Sequence, residues 1–475
     1  MIDTVRGISL PRKLWILAAT AVILLGAAFL GFRASPRWLV LLLAGLGAVV
    51  LLQQPVLGLF ALVALALVVP LEFGTGTEVK LNMAALLVPV VSMVWLLDRV
   101  RRRDLRMMPS NINAPLGLFV LTGLLSLLVG TVLWDPSVPR PSSFMIVQLA
   151  QWAIFAFSAS ALWLMGNLVC NEMWLRRITF FYLAVAGSLG ILRASSLADV
   201  GVLSHLSTFA DVRAPFWLLL AALAGGQLFF NQKLSTGWRL FLVGVLAAAM
   251  FYALVLERKT LSNLAGVLPA IGVLVWLRWP RLRWAMVGLA ITALIFLFPD
   301  IYQFAGGDTE WEQAGGSRLA LIGRVVELTM HNPITGLGPA AYRQYGKMGS
   351  LQYEGAFYSS IWLSSHNNYV DLFSHVGLLG LGLFLWFSVK VFRLGWRVRA
   401  RYPEGFAAGY VNAMLAAWIG ALIIMLLADW ILPFVYNIGF QGFQASVLVW
   451  LFLGGLIALD NIAGPEPGVP GTSHG

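Results

Sequence analysis

Runs of about 20 apolar residues, separated by short basic or Pro/Gly-marked intervals, recur from residue 14 to residue 459. A helix of that length crosses the ~30 Å hydrocarbon core of a bilayer, so each run predicts a membrane span. Fourteen runs can be read: 14–32, 38–53, 55–73, 81–98, 114–134, 146–169, 178–194, 214–231, 239–256, 260–277, 284–299, 367–389, 406–430 and 441–459. Gln53-Gln54-Pro55, between the second and third, suits a hairpin turn or a break in one long helix. The pattern fails over residues 300–366, the longest polar interval. Inside it, Leu319, Ile322, Val326 and Met330 recur at helical spacing and predict a short amphipathic helix with Ser317 as its cap. Asn332-Pro333-Ile334-Thr335-Gly336-Leu337-Gly338-Pro339 ends that helix. A loop this long with structure of its own is usually functional.

Composition supports the same class. The chain of 475 residues is 59% hydrophobic and only 11% charged, against about 25% charged in soluble domains. We therefore expect an all-α polytopic membrane protein of about 12–14 transmembrane helices with one large structured loop. Its parts would be a cytoplasmic N-terminus (1–13), eleven spans (14–299), the large loop (300–366), three further spans (367–459) and a Pro/Gly-rich tail (460–475). The first run follows Arg12 and Lys13 and reads as an uncleaved span. The net charge of +11 does not imply nucleic acid. The basic residues cluster in short loops, at 99–106, 278–283 and 390–401, which is the positive-inside signal. That signal puts both termini in the cytoplasm and the 300–366 loop outside. With one cysteine, Cys170, no intrachain disulfide can form.

Candidate chemistry gathers on the outer side. His366-Asn367 stands where the large loop enters a span, and imidazole exchanges protons near neutral pH. The bland alternative is a helix cap or a solvated headgroup contact. On a helix starting there, His366, Tyr369, Val370, Phe373 and Gly377 share a face and His375 points away. Arg213 and Arg258 stand at outer span ends, and Arg318 opens the loop helix. Three converging guanidinium groups would suit a pyrophosphate, whereas snorkelling, or pairing of Arg258 with Glu257, is the structural alternative. Arg193, Arg324 and Arg343 read as solvated surface residues. The loop aromatics, Trp311 and Tyr342 among them, fit an interfacial belt. No Walker loop, zincin helix, nucleophile elbow or acidic pair with metal-ligand spacing is present, so neither a metal nor a cofactor is expected.

The spacing His366-Asn367, nine residues, Gly377-Leu378-Leu379-Gly380 resembles the signature of the O-antigen ligase and polymerase family. The loop from Ser317-Arg318 to Gly338 is similar to that family's loop, although Leu319-Ala320-Leu321-Ile322 stands where the family often has tryptophan. The resemblance implies a GT-C-like fold in the bacterial inner membrane with an active site facing the periplasm. It implies metal-independent, inverting transfer of a glycan from undecaprenyl pyrophosphate. His366 would take the acceptor proton, Arg318, Arg258 and Arg213 would bind the pyrophosphate, Asn367 and Tyr369 would position acceptor or loop, and Gly377 and Gly380 would serve helix packing. The acceptor would be a lipid A core for a ligase or a lipid-linked glycan for a polymerase, with protein glycosylation as a third branch. Fourteen spans lean toward the polymerase, which would work among membrane lipids beside a chain-length regulator.

Two other classes compete. A transporter or flippase for a lipid-linked glycan would be expected to carry midplane charges and internal repeats, and neither is evident. A peptidoglycan-type glycosyltransferase would use an acidic loop residue. Asp308, Glu310, Glu312 and Glu354 are available for that role.

Overall fold

The computed structural model describes residues 47, 50–77, 79–197, 208–257, 261–306, 318–348, 350–353, 356–359 and 363–464. The chain divides into two compact units, Met1–Gly58 and Leu59–Gly475. Of the first, the described residues include a helical stretch at 50–53. The expected spans at 14–32 and, for the most part, 38–53 lie outside the described residues, as do Arg258, Ser317 and all four loop acids.

The second unit is a helical bundle. Helix α1 (Leu57–Val68) leads into a hairpin of β1 (Glu72–Gly74) and β2 (Lys80–Asn82), paired antiparallel with Glu72 opposite Asn82. There follow α2 (Met83–Arg101), α3 (Asn113–Val132), α4 (Phe144–Leu168), α5 (Glu172–Ala194), α6 (Ala214–Phe230) and α7 (Thr236–Phe251). A π turn over Tyr252–Leu256 extends α7, and α8 (Leu261–Arg278) and α9 (Arg283–Gly306) complete this half. The large loop holds α10 (Arg318–Thr329), α11 (Tyr342–Gly346) and a second hairpin, β3 (Ser350–Tyr353) with β4 (Ala356–Ser359). The chain returns as α12 (Asn368–Arg401), α13 (Gly405–Leu427) and α14 (Gly439–Ile462).

Among the described residues, eight helices are long and apolar enough to cross a membrane. Their burial ranks them. The most apolar 18-residue window of α14 is 100% buried and that of α13 72%, whereas α2 and the α7 segment reach only 28%. The last two helices, with α6, are therefore the centre of the bundle, and α2 and α7 lie at its rim. Because lipid is as apolar as leucine, helices associate here through close packing at small residues. A β-carbon on Gly454 of α14 would fall 2.0 Å from the Leu162 carbonyl oxygen of α4, and one on Gly226 of α6 would fall 2.4 Å from that of Gly409 in α13.

Helix α12 is interrupted. Gly377 takes φ +67°, ψ −173°, and residues 333–337 are inserted at the break. Leu337 N–H donates to Ser374 O (2.8 Å), Leu378 N–H to Pro333 O (2.9 Å) and Leu379 N–H to Ile334 O (3.1 Å). The break frees helix backbone groups inside the bundle, and the loop satisfies them. A β-carbon at Gly377 would lie 2.1 Å from Ile334 O. Only glycine fits this position, for both its φ and its contact.

The amphipathic loop segment is a helix, but it buries a different stripe from the one predicted. Leu321, Val325 and Leu328 are buried, while Leu319 and Met330 are 64% and 60% exposed. Both stripes have 3–4 spacing and lie side by side on one helix. Contact of α10 with α9, α11 and α12 selects the second.

Candidate active site

His366 is not the first residue of α12, as the shared-face reading assumed. It precedes the helix with φ +48°, in the left-handed region. Asn367 is the N-cap, its side-chain oxygen accepting from Tyr369 N–H (2.9 Å) and Val370 N–H (3.2 Å). The family-like His-Asn pair thus has two separable local roles. Asn367 starts the helix, and His366 is turned out of the helical path.

A second segment, residues 428–438 between α13 and α14, faces this turn. It holds Asp429, whose side chain is fully buried with its Oδ1 4.0 Å from His366 Nδ1. Asn437 Nδ2 lies between them, 2.9 and 3.1 Å from the two carboxylate oxygens and 3.4 Å from His366 Nδ1. Phe434 N–H donates to Asp429 Oδ2 (3.3 Å). An imidazole backed by a buried carboxylate is held in orientation and can be stabilised when protonated.

The acidic segment is fastened on every side. Asn368 Nδ2 donates to Leu432 O (2.8 Å), and its Oδ1 accepts from the N–H groups of Ile431 (3.1 Å) and Leu432 (3.2 Å). Gln151 of α4 donates to Pro433 O (3.1 Å) and accepts from Val435 N–H (2.7 Å). Trp450 of α14 donates to Ile431 O (3.0 Å). Asn367 Nδ2 reaches Leu426 O (2.9 Å), and the Tyr369 hydroxyl reaches Leu422 O (3.0 Å). Arg318 Nη1 donates to Leu427 O (2.8 Å), two residues before Asp429.

Arg213, the N-cap of α6, reaches the same segment at Trp430, the residue after Asp429. Its guanidinium carbon lies 3.9 Å from the ring centre of Phe209 and 5.4 Å from that of Trp430, a cation–π seat. Burial lowers its pKa to about 10, with Asp429 and then Tyr252 acting in the opposite direction, so it is cationic at neutral pH. Its Nε is buried without a hydrogen-bond partner. The structure therefore brings Arg213, Arg318 and His366 around one short segment. Arg258 lies outside the described residues.

Two arginines read as surface residues are not solvated. Arg193 Nη2 binds both oxygens of buried Asp211 at 3.2 and 3.1 Å. Arg343 is 5% exposed; it donates to Tyr436 O (2.6 Å) and lies over the Tyr436 ring at 4.8 Å. Arg324 pairs with Glu327 on its own helix, at 2.9 Å. His375 is buried against Tyr342 and Phe434. Among the described residues no three His, Cys, Asp or Glu side chains converge.

Residues 245–385 match the family described as O-antigen ligase. The matched segment is similar to that family's domain. No curated protein matches the sequence significantly. The matched segment runs from α7 through the large loop to just beyond Gly380. With the apolar helices, it supports a multi-pass membrane protein with glycosyltransferase activity of the O-antigen ligase and polymerase type. The domain includes Arg318, His366, Gly377 and Gly380, while Arg213 and Asp429 lie outside its limits. Asp429 had a visible signal: it is the only acidic residue between Glu404 and Asp460, and an acid within so apolar a stretch is costly unless it has a role.

Proposed function

We propose that the protein transfers a glycan from undecaprenyl pyrophosphate to an acceptor hydroxyl, by inversion and without a metal, on the periplasmic face of a bacterial inner membrane. The observation that carries this reading is buried Asp429 beside His366, with the desolvated Arg213 seated on the ring of the next residue, Trp430. In one displacement the acceptor oxygen attacks the anomeric carbon while the bond from that carbon to the pyrophosphate oxygen breaks. The acceptor proton passes to Nε2 of the His366 tautomer that carries its hydrogen on Nδ1, the nitrogen facing the Asp429 carboxylate. The new imidazolium is stabilised by Asp429; unit charges at 4 Å attract by at most about 4 kcal/mol at an effective dielectric near 20. The departing lipid pyrophosphate takes the bonding electrons. Arg213, Arg318 and Arg258 hold its growing charge, and a single preorganised donor of this kind is worth roughly 10²–10³ in rate. No nucleotide is required, because the glycosyl pyrophosphate is already activated.

The fourteen apolar runs favour a polymerase, with a lipid-linked glycan as acceptor and a chain-length regulator as partner; lipid A core would be the acceptor of a ligase. The test is transfer from a synthetic undecaprenyl-pyrophosphate glycan by the purified protein in lipid, with EDTA and both acceptors present. Metal-free elongation of the lipid-linked acceptor supports the reading in full, and elongation of lipid A core reassigns it to ligation. Folded protein that elongates neither, while moving the lipid-linked glycan across the bilayer, would contradict it in favour of a transporter.

A further inference from the structure

Behind His366 lies a buried polar network that the transfer step does not itself use. Asp371, in the first turn of α12, is 2% exposed. Its Oδ1 accepts from the Ser365 hydroxyl (2.7 Å) and the Tyr342 hydroxyl (2.9 Å), while its Oδ2 is buried without a hydrogen-bond partner. Burial, together with Asp371 and Asp429, raises the Tyr342 pKa well above its ordinary value, so Tyr342 remains a donor throughout the physiological range. A buried carboxyl group left half satisfied is costly where an apolar residue would not be.

What that cost secures is visible one residue from the histidine. Ser365 Oγ, held by Asp371, accepts from Asn367 N–H at 3.0 Å and so closes the turn Ser365-His366-Asn367 from the inside. His366 at its apex sits at φ +48°, a conformation unfavourable for a non-glycine residue and retained only where its surroundings impose it. Tyr342 extends the same network to the facing segment by stacking on Phe434 at 4.7 Å, the residue whose N–H binds Asp429. One carboxylate thus registers the turn that presents the imidazole against the segment that presents its acidic partner.

We propose that Asp371, acting through Ser365, is a positioning residue that holds His366 in its strained turn and aims its ring at the acceptor. The proposal rests on the general-base reading of His366. It does not require Asp371 to touch substrate.

The test compares purified, lipid-reconstituted wild type with His366→Ala, Ser365→Ala, Asp371→Ala, Asp371→Asn and the double variant His366→Ala/Ser365→Ala, using the synthetic undecaprenyl-pyrophosphate glycan. Ser365→Ala removes one hydroxyl and keeps the Tyr342–Asp371 bond, so it reports even if Asp371→Ala does not fold. It is expected to lower kcat by about 100-fold, the effect of roughly 1 Å of misplacement, with the donor KM changed by less than about 2-fold. Asp371→Asn keeps an acceptor oxygen for both hydroxyls and should recover most of the rate lost in Asp371→Ala. In the His366→Ala background, Ser365→Ala should cost nothing further. Equal losses from Ser365→Ala with and without His366 would overturn the proposal alone, as would wild-type kcat in Ser365→Ala. Full activity of His366→Ala would overturn the general-base reading and the proposal with it.

Discussion

At the scale of the residue, reactivity here is set by neighbours. His366 is an ordinary imidazole placed 4.0 Å from a carboxylate that water does not reach. Asp429→Asn keeps the size of the side chain and removes its charge, so kcat should fall about 100-fold with the donor KM nearly unchanged, measured by initial rates in lipid. Arg213 should act differently. In the wild type it remains cationic until pH approaches 10, so donor KM should be flat from pH 7 to 9. In Arg213→Lys, the same burial pushes an ammonium below its ordinary pKa of about 10.4. Raising the pH then discharges the site, and donor KM should climb over that range; a flat profile would count against Arg213 as the pyrophosphate cation. The sequence exposed His366 and Arg213 because each breaks a local pattern, a polar residue at a span entrance and a cation at an outer end. It hid the Asp429 partnership, because the acid is 63 residues from the histidine and only tertiary contact joins them.

At the scale of the element, the decisive features are two interlocked segments and one broken helix. Asn368→Ala removes three hydrogen bonds to residues 431 and 432 and leaves their backbone groups buried without partners. A loss of about 1–3 kcal/mol is expected, read as a lower thermal midpoint in detergent. Gly377→Ala should cost more, about 2–5 kcal/mol, since it combines a positive φ with a collision against Ile334 O. A wild-type midpoint in that variant would show that α12 is not broken as described. Hydrophobic periodicity made the helices legible, including the short one in the large loop. It could not tell which of two adjacent stripes on α10 would be buried. Nor could it show that the second half of the signature, Gly377, marks a break filled by residues 333–337 rather than a packing surface alone. Arg193 and Arg343 were misread for a related reason. A cation near a span end looks solvated until its carboxylate or aromatic partner from another element is seen.

At the scale of the molecule, α12 links the two ends of the bundle. Its first turn holds the site, and its last turn carries Arg397 and Arg401, both paired with Asp460 of α14 at 2.5 and 3.3 Å. The reactive end is thereby built on two deeply buried helices, α13 and α14, which suits a site that must stay rigid while bulky lipid and glycan substrates come and go. The central claim is that His366 and Asp429 act as one unit in glycan transfer. The direct measurement is a double-mutant cycle of His366→Ala and Asp429→Ala, read as single-turnover transfer from the synthetic lipid-pyrophosphate glycan in reconstituted, folded protein. The account predicts that His366→Ala loses at least about 100-fold and that adding Asp429→Ala to it loses little more. Independent, multiplying losses, or a His366→Ala protein that transfers at the wild-type rate, would contradict it.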